Sequence, residues 1–410
     1  MSTLFPVART AHLPEPELFQ HPTRELTVHE QWKLSFERAK IIAQLYGITA
    51  HDILTLSEQF WEFHMDNIGM IDAAAITFLS IQYNLAAGTI APFAMKRPDL
   101  QPLLQHILDL DVADNGNTLS QWRVRPTHPQ RWSPKARLHL FIRIVNLPPL
   151  LDRHMPPTGP YGGVIQVAVV FARLIVNKED RGIRPFIVSL GDGKQMCKGV
   201  TARLLPRRVG SKTVGYALTT FNHVCLPTTA LLGKLEKPAD ARINFMACIW
   251  RVPVGSLASS AAAVPAVAVS TYIAARHSMR RTITGPDNQP LSIWNFRTQQ
   301  IPIVRALAQA YAMKAHALEA IRLVKDTDMD VRTRMGVAAS ANAVMIQHTQ
   351  TSLFTLSERC GAHGLFEHNQ IITAQVSQRS YSSVGMRCLT PETGTDMCAG
   401  HIWNLLVEIV

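Results

Sequence analysis

The stretch "ERCGAHGLFEH", residues 358–368, puts one cysteine, two histidines and two glycines directly after a long run of residues at helical spacing. Three interpretations are open. The stretch is a metal site, a thiol nucleophile with its base, or a loop of backbone that lies against a ligand. The choice among these three interpretations determines which kind of functional site the chain forms.

The chemistry of these residue types disfavours the first two interpretations. A zinc site needs three or four ligands, and the spacing of Cys360, His363 and His368 matches no standard zinc motif. Cys360 is predicted to end a helix, where the negative end of the helix dipole destabilises a thiolate. A glycine that terminates the helix accounts for Gly361, but it leaves Gly364 without a reason.

Three long helical patterns precede this stretch. The first begins after residue 239 and runs to about Arg281, with a kink or a restart at Pro265. "TGPDNQP" (284–290) separates it from a second helix over about 295–324, and a third runs from about Val331 to Cys360. Long helices joined by short connections predict an antiparallel helical bundle.

The first of these helices contains an uncharged stretch, residues 252–275, that is long enough to cross a bilayer. It is rich in alanine and serine, carries Pro253 and Pro265, and has little leucine or isoleucine. Small residues let neighbouring helices approach closely. The composition therefore favours a tightly packed core helix, and we predict no membrane span.

Two further regions lie N-terminal to the bundle. Residues 1–110 are predicted to be helical, with one helix closed by Gly47 and the next begun by a capping box of Thr49 and Asp52. From about 160 to 233, β-branched runs separated by Gly and Asp turns predict short antiparallel strands. We therefore predict an α+β protein with an N-terminal helical domain (1–110), a small antiparallel β domain (111–233) and a C-terminal antiparallel helical bundle (234–410).

Residues 111–159, inside the predicted β domain, fit neither a strand pattern nor a helix pattern. The part "WRVRPTHPQRWSPKARLHLFIRIVNLPPLLDRHMPPTG" (122–159) has seven arginines and lysines against one acid, Asp152, and prolines interrupt it throughout. Three origins are compatible with it: a basic loop for phosphate or RNA, a solvated loop, or sequence translated out of frame or through an intron.

The composition of the 410 residues, 47% hydrophobic and 17% charged, is that of a folded protein with a large core. Six scattered cysteines without a CxxC pair disfavour a disulfide scaffold and fit a reducing intracellular compartment. The net charge of +11 invites a nucleic-acid partner, but no zinc finger, basic zipper or RNA-recognition motif supports one. We predict no nucleic-acid partner, and an anionic ligand such as a dinucleotide or coenzyme A is the second explanation of the charge.

Five motifs, in order along the chain, resemble those of a known family. "CGAHGL" (360–365) resembles the Cys-Gly-Gly-His-Gly loop of acyl-CoA oxidases, which are members of the acyl-CoA dehydrogenase superfamily. "FARLIVNKEDRGIRPFIVSL" (171–190) resembles the family's central β domain, and "TTFNHVCLPTTALLG" (219–233) resembles the exit from that domain. "ARHSMRR" (275–281) and "NFRTQQIPI" (295–303) resemble the end of the first bundle helix and the start of the second.

The resemblance implies an FAD-dependent enzyme that α,β-desaturates an acyl-CoA or a related thioester. A carboxylate removes the α-proton while the β-hydrogen leaves as hydride to the flavin, and in oxidases dioxygen then reoxidises the flavin. In the family, arginines and glutamines of the bundle reach the FAD pyrophosphate and adenosine, often across the interface of a homodimer. The resemblance therefore implies six cofactor-binding residues: Arg280 (or Arg276, since the alignment is ambiguous), Gln299, Gln300, Gly361, His363 and Gly364.

The two glycines are expected to let backbone lie close to the flavin nucleotide, because neither carries a side chain. Glu392 is the predicted catalytic base, since it follows the glycine loop at about the family's distance, and Asp396 and Glu367 are the other candidates. Burial of such a carboxylate would raise its pKa toward neutrality.

The sequence also departs from the family. Thr393 stands where the family has a glycine after the base, the family's Thr-Glu-x-Gly-x-Gly segment is missing, and full-length oxidases continue with a further helical domain. Two hypotheses follow: a working flavoenzyme, or a non-catalytic relative that keeps the scaffold for binding or assembly. The family implies a peroxisomal location, but "VEIV" is not a Ser-Lys-Leu type signal, so a cytoplasmic location stays open.

Overall fold

The computed structural model describes residues 8–20, 22, 24–126, 140–142, 164–177, 179–206, 210, 217–366 and 368–385. Up to residue 108 these residues form helices. A π-helical segment, Ile81–Ala87, joins the fifth and sixth of them. The helices are α1 (Val28–Tyr46), α2 (Ala50–Thr55), α3 (Glu58–His64), α4 (Ile68–Ile71), α5 (Ala73–Ser80), α6 (Gly88–Ala94) and α7 (Gln101–Leu108).

The ends of the first helices follow the signals in the sequence. Gly47 closes α1 in the left-handed region, with φ of 56°, which a residue without a Cβ adopts at little cost. Thr49 accepts a hydrogen bond from the Asp52 backbone N–H, and the Asp52 carboxylate accepts one from the Thr49 N–H. The predicted helix end and the predicted capping box are both confirmed.

The middle of the chain is built from strands, which have the bounds β1 (Val112–Pro126), β2 (Leu140–Ile142), β3 (Ile165–Val176), β4 (Glu179–Gly191), β5 (Val200–Leu204), β6 (Ala217–Phe221) and β7 (Val224–Leu226). Five of them form one sheet in the order β4-β3-β1-β2-β7, and β5 pairs with β6. The pairs β3–β4 and β5–β6 are antiparallel, as predicted for this region.

One strand pairing was not predicted. β1 lies in the stretch that fitted no pattern, and it pairs in parallel with β3. The small sheet is therefore mixed, because an otherwise antiparallel arrangement contains this one parallel pair among the strands that the structure describes.

The last part of the described chain is a helical bundle, in which helices α8 (Ala241–Cys248), α9 (Arg251–Ala261), α10 (Ala263–Arg280), α11 (Arg297–Lys325), α12 (Val331–Arg359) and α13 (Gln370–Gly385) pack together, with a hairpin of β8 (Thr282–Thr284) and β9 (Pro290–Ser292) between α10 and α11. The predicted restart of the first long helix falls at Ala262, three residues before Pro265. The predicted α+β fold class is confirmed.

The apolar stretch 252–275 lies mostly inside this bundle, and Tyr272 is the residue of the stretch that is exposed. Among the described residues, two helical stretches are long and apolar enough to cross a membrane, Ala73–Ala94 and Ala241–Arg280. Within the protein, 83% and 67% of their apolar windows are buried. Core helices of globular proteins meet the same criteria of length and composition.

Candidate functional site

A basic cleft of about 550 Å³ lies along the C-terminal half of α10. Its lining residues come in neighbouring pairs four positions apart, a spacing that places them on one face of a helix. They are Tyr272, Ile273, Arg276, His277, Arg280 and Arg281. Every charged side chain in this lining is cationic, so the cleft can attract an anion.

The arginines of the cleft are exposed to solvent. Among the residues that the structure describes, no carboxylate forms an ion pair with Arg276, Arg280 or Arg281. The sequence left Arg276 and Arg280 as alternatives for one role, and the structure places both on the cleft. Their positive charges stabilise the C-terminal end of α10, where the helix dipole is negative. Because the side chains are exposed, they are also available to a ligand.

The glycine loop approaches the cleft through a pair of histidines. The rings of His277 and His363 are 5.9 Å apart between centroids and lie edge to face at 61°. Burial lowers the pKa of His277, and the neighbouring His363 and Arg281 lower it further. The environment of His277 in the free protein therefore favours its uncharged form.

The loop itself is a short 3₁₀ turn, Gly361–Leu365, directly after α12. Gly361 has φ of 59°, the left-handed conformation that commonly ends a helix. A Cβ at Gly364 would overlap the carbonyl oxygen of Ser357 in the last turn of α12. The fold of the chain itself therefore explains why glycine occupies both positions. The contact of these glycines with a nucleotide stays a prediction.

Gln299 joins three helices at the edge of the cleft. Its Nε2 donates to the Ser278 hydroxyl on α10 at 2.8 Å and to the Arg359 carbonyl oxygen at the end of α12 at 2.6 Å. Arg359 in turn donates from Nη1 to the Thr298 carbonyl oxygen at 3.0 Å. These bonds fix the end of α12, and therefore the start of the glycine loop, against α10 and α11.

Gln300 has a more local partner, because its Nε2 donates to the Trp294 carbonyl oxygen at 2.8 Å. That carbonyl precedes α11, so the bond helps to hold the first turn of the helix. The amide nitrogens of both glutamines are therefore engaged within the protein, and any contact with a cofactor would use their other atoms.

The alternatives for the opening stretch can be tested against the geometry. Cys360 is buried, and its burial raises the pKa of the thiol, which opposes a thiolate nucleophile. In the described part of the chain, no group of three His, Cys, Asp or Glu side chains is placed to hold a metal ion. The candidate bases Glu392, Asp396 and Glu367 lie outside the described residues, as do residues 127–139 and 143–159 of the basic, proline-rich stretch.

Four cleft residues were missed from the sequence: Tyr272, Ile273, His277 and Arg281. A signal was present, since residues 272, 276 and 280 repeat every four positions and share a helix face with 273, 277 and 281. The burial and pairing of His277 could not be read from that spacing, because they depend on a loop more than 80 residues later in the chain.

The sequence of the chain is similar to those of acyl-CoA oxidases, although no family model matches it. Peroxisomal acyl-coenzyme A oxidase 2 from Arabidopsis thaliana is 28% identical over 335 residues, which are 73% of this chain and 46% of the relative. The chain therefore spans about half the length of this curated relative.

Solved structures with the same fold include both branches of the superfamily. Acyl-CoA oxidase-1 of Caenorhabditis elegans, in complex with FAD and ATP, has a TM-score of 0.67 at 16% identity over 92% of this chain and 57% of its own. Butyryl-CoA dehydrogenase from Megasphaera elsdenii has a TM-score of 0.64 at 15% identity over 93% of this chain and 99% of its own. The predicted resemblance to the acyl-CoA oxidase and dehydrogenase superfamily is confirmed.

Proposed function

We propose that this chain binds FAD in the basic cleft and desaturates an acyl-CoA thioester between its α and β carbons. The cleft is the observation that carries the proposal, since it gathers, beside the glycine loop, three arginines that pair with no carboxylate of the described segments. Similarity to an acyl-coenzyme A oxidase supports the substrate class, and the FAD complex of a C. elegans oxidase with the same fold supports the cofactor.

The residues of the cleft fit the pyrophosphate of FAD. A guanidinium group offers paired N–H donors that match phosphate oxygens, and such charge-assisted hydrogen bonds are among the strongest in proteins. Arg276 and Arg280 would hold the pyrophosphate, and His363 would face it from the glycine loop. The exposed ring of Tyr272 adds an aromatic surface on which a base can stack.

A narrow crevice at the other end of α10 is our candidate for the acyl chain. It lies among α4, α5, α10 and α13, and its lining combines small residues such as Gly69 and Ala266 with the polar side chains of Asp66, Ser377 and Gln378. Ten positions separate Ala266 from Arg276, which is about 15 Å along a helix. The crevice has a volume of about 10 Å³, room for about one water, so acyl binding requires its walls to move apart.

The chain's own chemical step would be the removal of the α-proton. Glu392 is our proposed base, and its carboxylate would take the proton. A base for this step benefits from a pKa near neutrality, which burial gives to a carboxylate. Bound FAD would accept the β-hydrogen as hydride. Similarity to oxidases favours dioxygen as the final electron acceptor, with hydrogen peroxide as the second product.

We also propose a homodimer. α11 buries one apolar stripe in the bundle, and it exposes a second stripe in which Ile301, Val304, Tyr311 and Leu318 are 44–55% exposed. These positions are separated by three and then seven residues, the spacing of a helix that packs against another helix. A second copy offers the same stripe, so the pairing can be symmetric. The relative's name supports a peroxisomal location.

A second candidate function is a scaffold without catalysis. It is favoured by Thr393, which adds a side chain beside the proposed base, and by the missing Thr-Glu-x-Gly-x-Gly segment. A chain of this kind would keep the cleft and bind the cofactor without turning over the substrate.

One experiment separates the two candidates. The purified protein should be yellow, and its flavin absorbance should bleach when an acyl-CoA is added without oxygen. Glu392→Gln should still bind acyl-CoA but lose about 10²–10⁴-fold in bleaching rate, the usual contribution of a positioned base. A colourless protein that takes up no FAD would overturn the proposal, and bound flavin that no acyl-CoA bleaches would establish the scaffold.

A further inference from the structure

We propose that the cleft binds its phosphate ligand together with a proton, which His277 takes up, and that His363 sets the pH at which this happens. The inference rests on the proposed FAD site and adds a proton to its ligand. It begins from the position of His277, which lines the cleft between the arginines of α10 and the glycine loop.

His277 is built into the cleft wall and is surrounded by positive charge. On α10 the charged neighbours are Arg276, Arg280 and Arg281, and on the glycine loop the titratable neighbour is His363. At the end of α12, Arg359 pairs with Glu358 at 3.6 Å. On α11, Gln299 donates to Ser278, the residue after His277, and carries no charge, while the charged residue of the first turn is Arg297.

In the free protein, this arrangement disfavours a further positive charge in the cleft. Burial removes water from His277, while His363 and Arg281 repel a proton, and all three lower its pKa. A bound phosphate reverses the balance, because a nearby negative charge favours the protonated form of a histidine. Protonated imidazole is also a donor to phosphate oxygens, which neutral imidazole is at only one of its nitrogens.

Binding and protonation must then favour each other by linkage. Between the pKa of His277 in the free protein and its higher pKa in the complex, affinity should weaken by up to tenfold for each unit of rising pH. The pyrophosphate diester of FAD does not titrate near neutrality, so any such dependence belongs to the protein.

The experiment uses the FAD-loaded full chain and measures dissociation on dilution, by the fluorescence of released FAD, from about pH 5 to about pH 8. The dissociation constant should rise with pH in the wild type, and it should be flat over the same range in His277→Gln, which cannot be charged. His363→Asn should move the midpoint to higher pH, because a repelling neighbour is gone. His51→Gln, an exposed histidine on α2, is the matched control and should keep the wild-type slope.

Each outcome decides one of the two proposals. A wild-type profile without slope, or a slope that survives in His277→Gln, would overturn the role of His277 and leave FAD binding intact. If the protein holds no FAD at any pH, the proposed function fails. ADP-ribose, which carries the same kind of pyrophosphate diester, then probes the cleft alone by calorimetry, where ligand-linked proton uptake supports His277 and its absence overturns it.

Discussion

Arginine side chains occupy two contrasting environments in this protein. Arg38, Arg184 and Arg251 are 4–8% exposed, and each guanidinium donates hydrogen bonds to backbone carbonyl oxygens. Arg276 and Arg280 are exposed on the basic cleft and have no carboxylate partner in the described part of the chain. The buried group organises backbone, whereas the exposed group is available to a ligand.

Arg251 is the clearest member of the buried group. Its Nε donates to the Asn84 carbonyl oxygen at 3.0 Å and its Nη1 to the Ile53 carbonyl oxygen at 3.1 Å. Asn84 belongs to the π-helical segment, so the guanidinium binds α9 to the N-terminal helices. A Cβ at Gly88 would overlap this guanidinium. Burial lowers the pKa of Arg251 to about 10, which still leaves it charged at neutral pH.

This comparison shows that the role of an arginine depends on its hydrogen-bond and ion-pair partners, because the charge is the same in both groups. A buried guanidinium whose donors meet carbonyl oxygens is part of the fold, and its loss leaves those acceptors unpaired. An exposed guanidinium without a partner contributes little to folding. The predictions below test this difference in order of expected effect.

The largest effect is expected from Arg251→Ala. It removes the guanidinium donors from two buried carbonyl oxygens and opens a cavity, so the free energy of unfolding should fall by about 4 kcal/mol. Chemical denaturation followed by circular dichroism measures it. Arg242→Ala, an exposed position on α8, should change stability by less than about 0.5 kcal/mol. Equal midpoints for the two variants would contradict a structural role for Arg251.

The second prediction concerns the glycines of the loop beside the cleft. Gly364→Ala should cost about 3 kcal/mol, since its Cβ would overlap the Ser357 carbonyl oxygen. Gly361→Ala meets nothing within 4 Å, and should cost only about 1 kcal/mol for its left-handed backbone. Thermal unfolding of both variants measures the difference, and the reverse ranking would show that the loop does not pack on α12 as described.

This pair also determines how flavin binding should be tested. Because Gly364 is needed by the backbone of α12, flavin loss in a Gly364 variant would not distinguish a damaged loop from a damaged cofactor contact. Variants of the exposed cleft residues avoid that ambiguity.

Much of the fold could be predicted from the sequence because its signals are local. The second and third bundle helices were predicted over 295–324 and 331–360, and α11 and α12 span Arg297–Lys325 and Val331–Arg359. Their ends are set by neighbouring residues, such as Asp330, which accepts from the Arg332 N–H at the start of α12. Local patterns of this kind can be read from one sequence.

The features that could not be predicted depend on distant residues. β1 finds its parallel partner β3 about 50 residues later, and its own sequence, with Asp114, Asn115, Gly116 and Asn117 near its start, gave no strand signal. The carbonyl oxygen that Gly364 must avoid lies seven residues earlier, and it comes close only because the chain turns after α12. The cleft was predicted only in part, because a motif indicated Arg280 or, as the alternative, Arg276, while the partner of His277 required the folded loop.

The third prediction is an acid sensitivity in the buried region near Arg251. His64 is 1% exposed among aromatic rings, and its burial, with the charge of Arg251, lowers its pKa to about 3. In the unfolded chain the pKa is about 6.5, so the unfolded state binds the extra proton first. Stability present above about pH 6.5 is therefore lost as the pH falls toward 3, by up to about 1.4 kcal/mol per unit.

His64→Phe removes this titration, so the difference in stability between neutral pH and about pH 5 should shrink by about 2 kcal/mol relative to the wild type. Urea denaturation at the two pH values measures it. The exposed His51 should give no such change when it is replaced by Gln. A wild-type protein whose stability is the same at both pH values would contradict the burial of His64.

The smallest effect on stability, and the sharpest test of the comparison, is expected from Arg280→Ala. This side chain is exposed and unpaired within the described residues, so unfolding should shift by less than about 0.5 kcal/mol. If it holds a phosphate, the lost charge-assisted hydrogen bond should weaken FAD binding by roughly 10–100-fold. Flavin fluorescence titration measures this, with Arg322→Ala, an exposed arginine on α11 paired with Glu319 at 2.7 Å, as the control.

Unchanged FAD affinity in Arg280→Ala would show that Arg280 interacts only with the dipole at the C-terminal end of α10. Weakened affinity with unchanged stability would separate the two groups, because Arg251 would then matter only to folding and Arg280 only to the ligand.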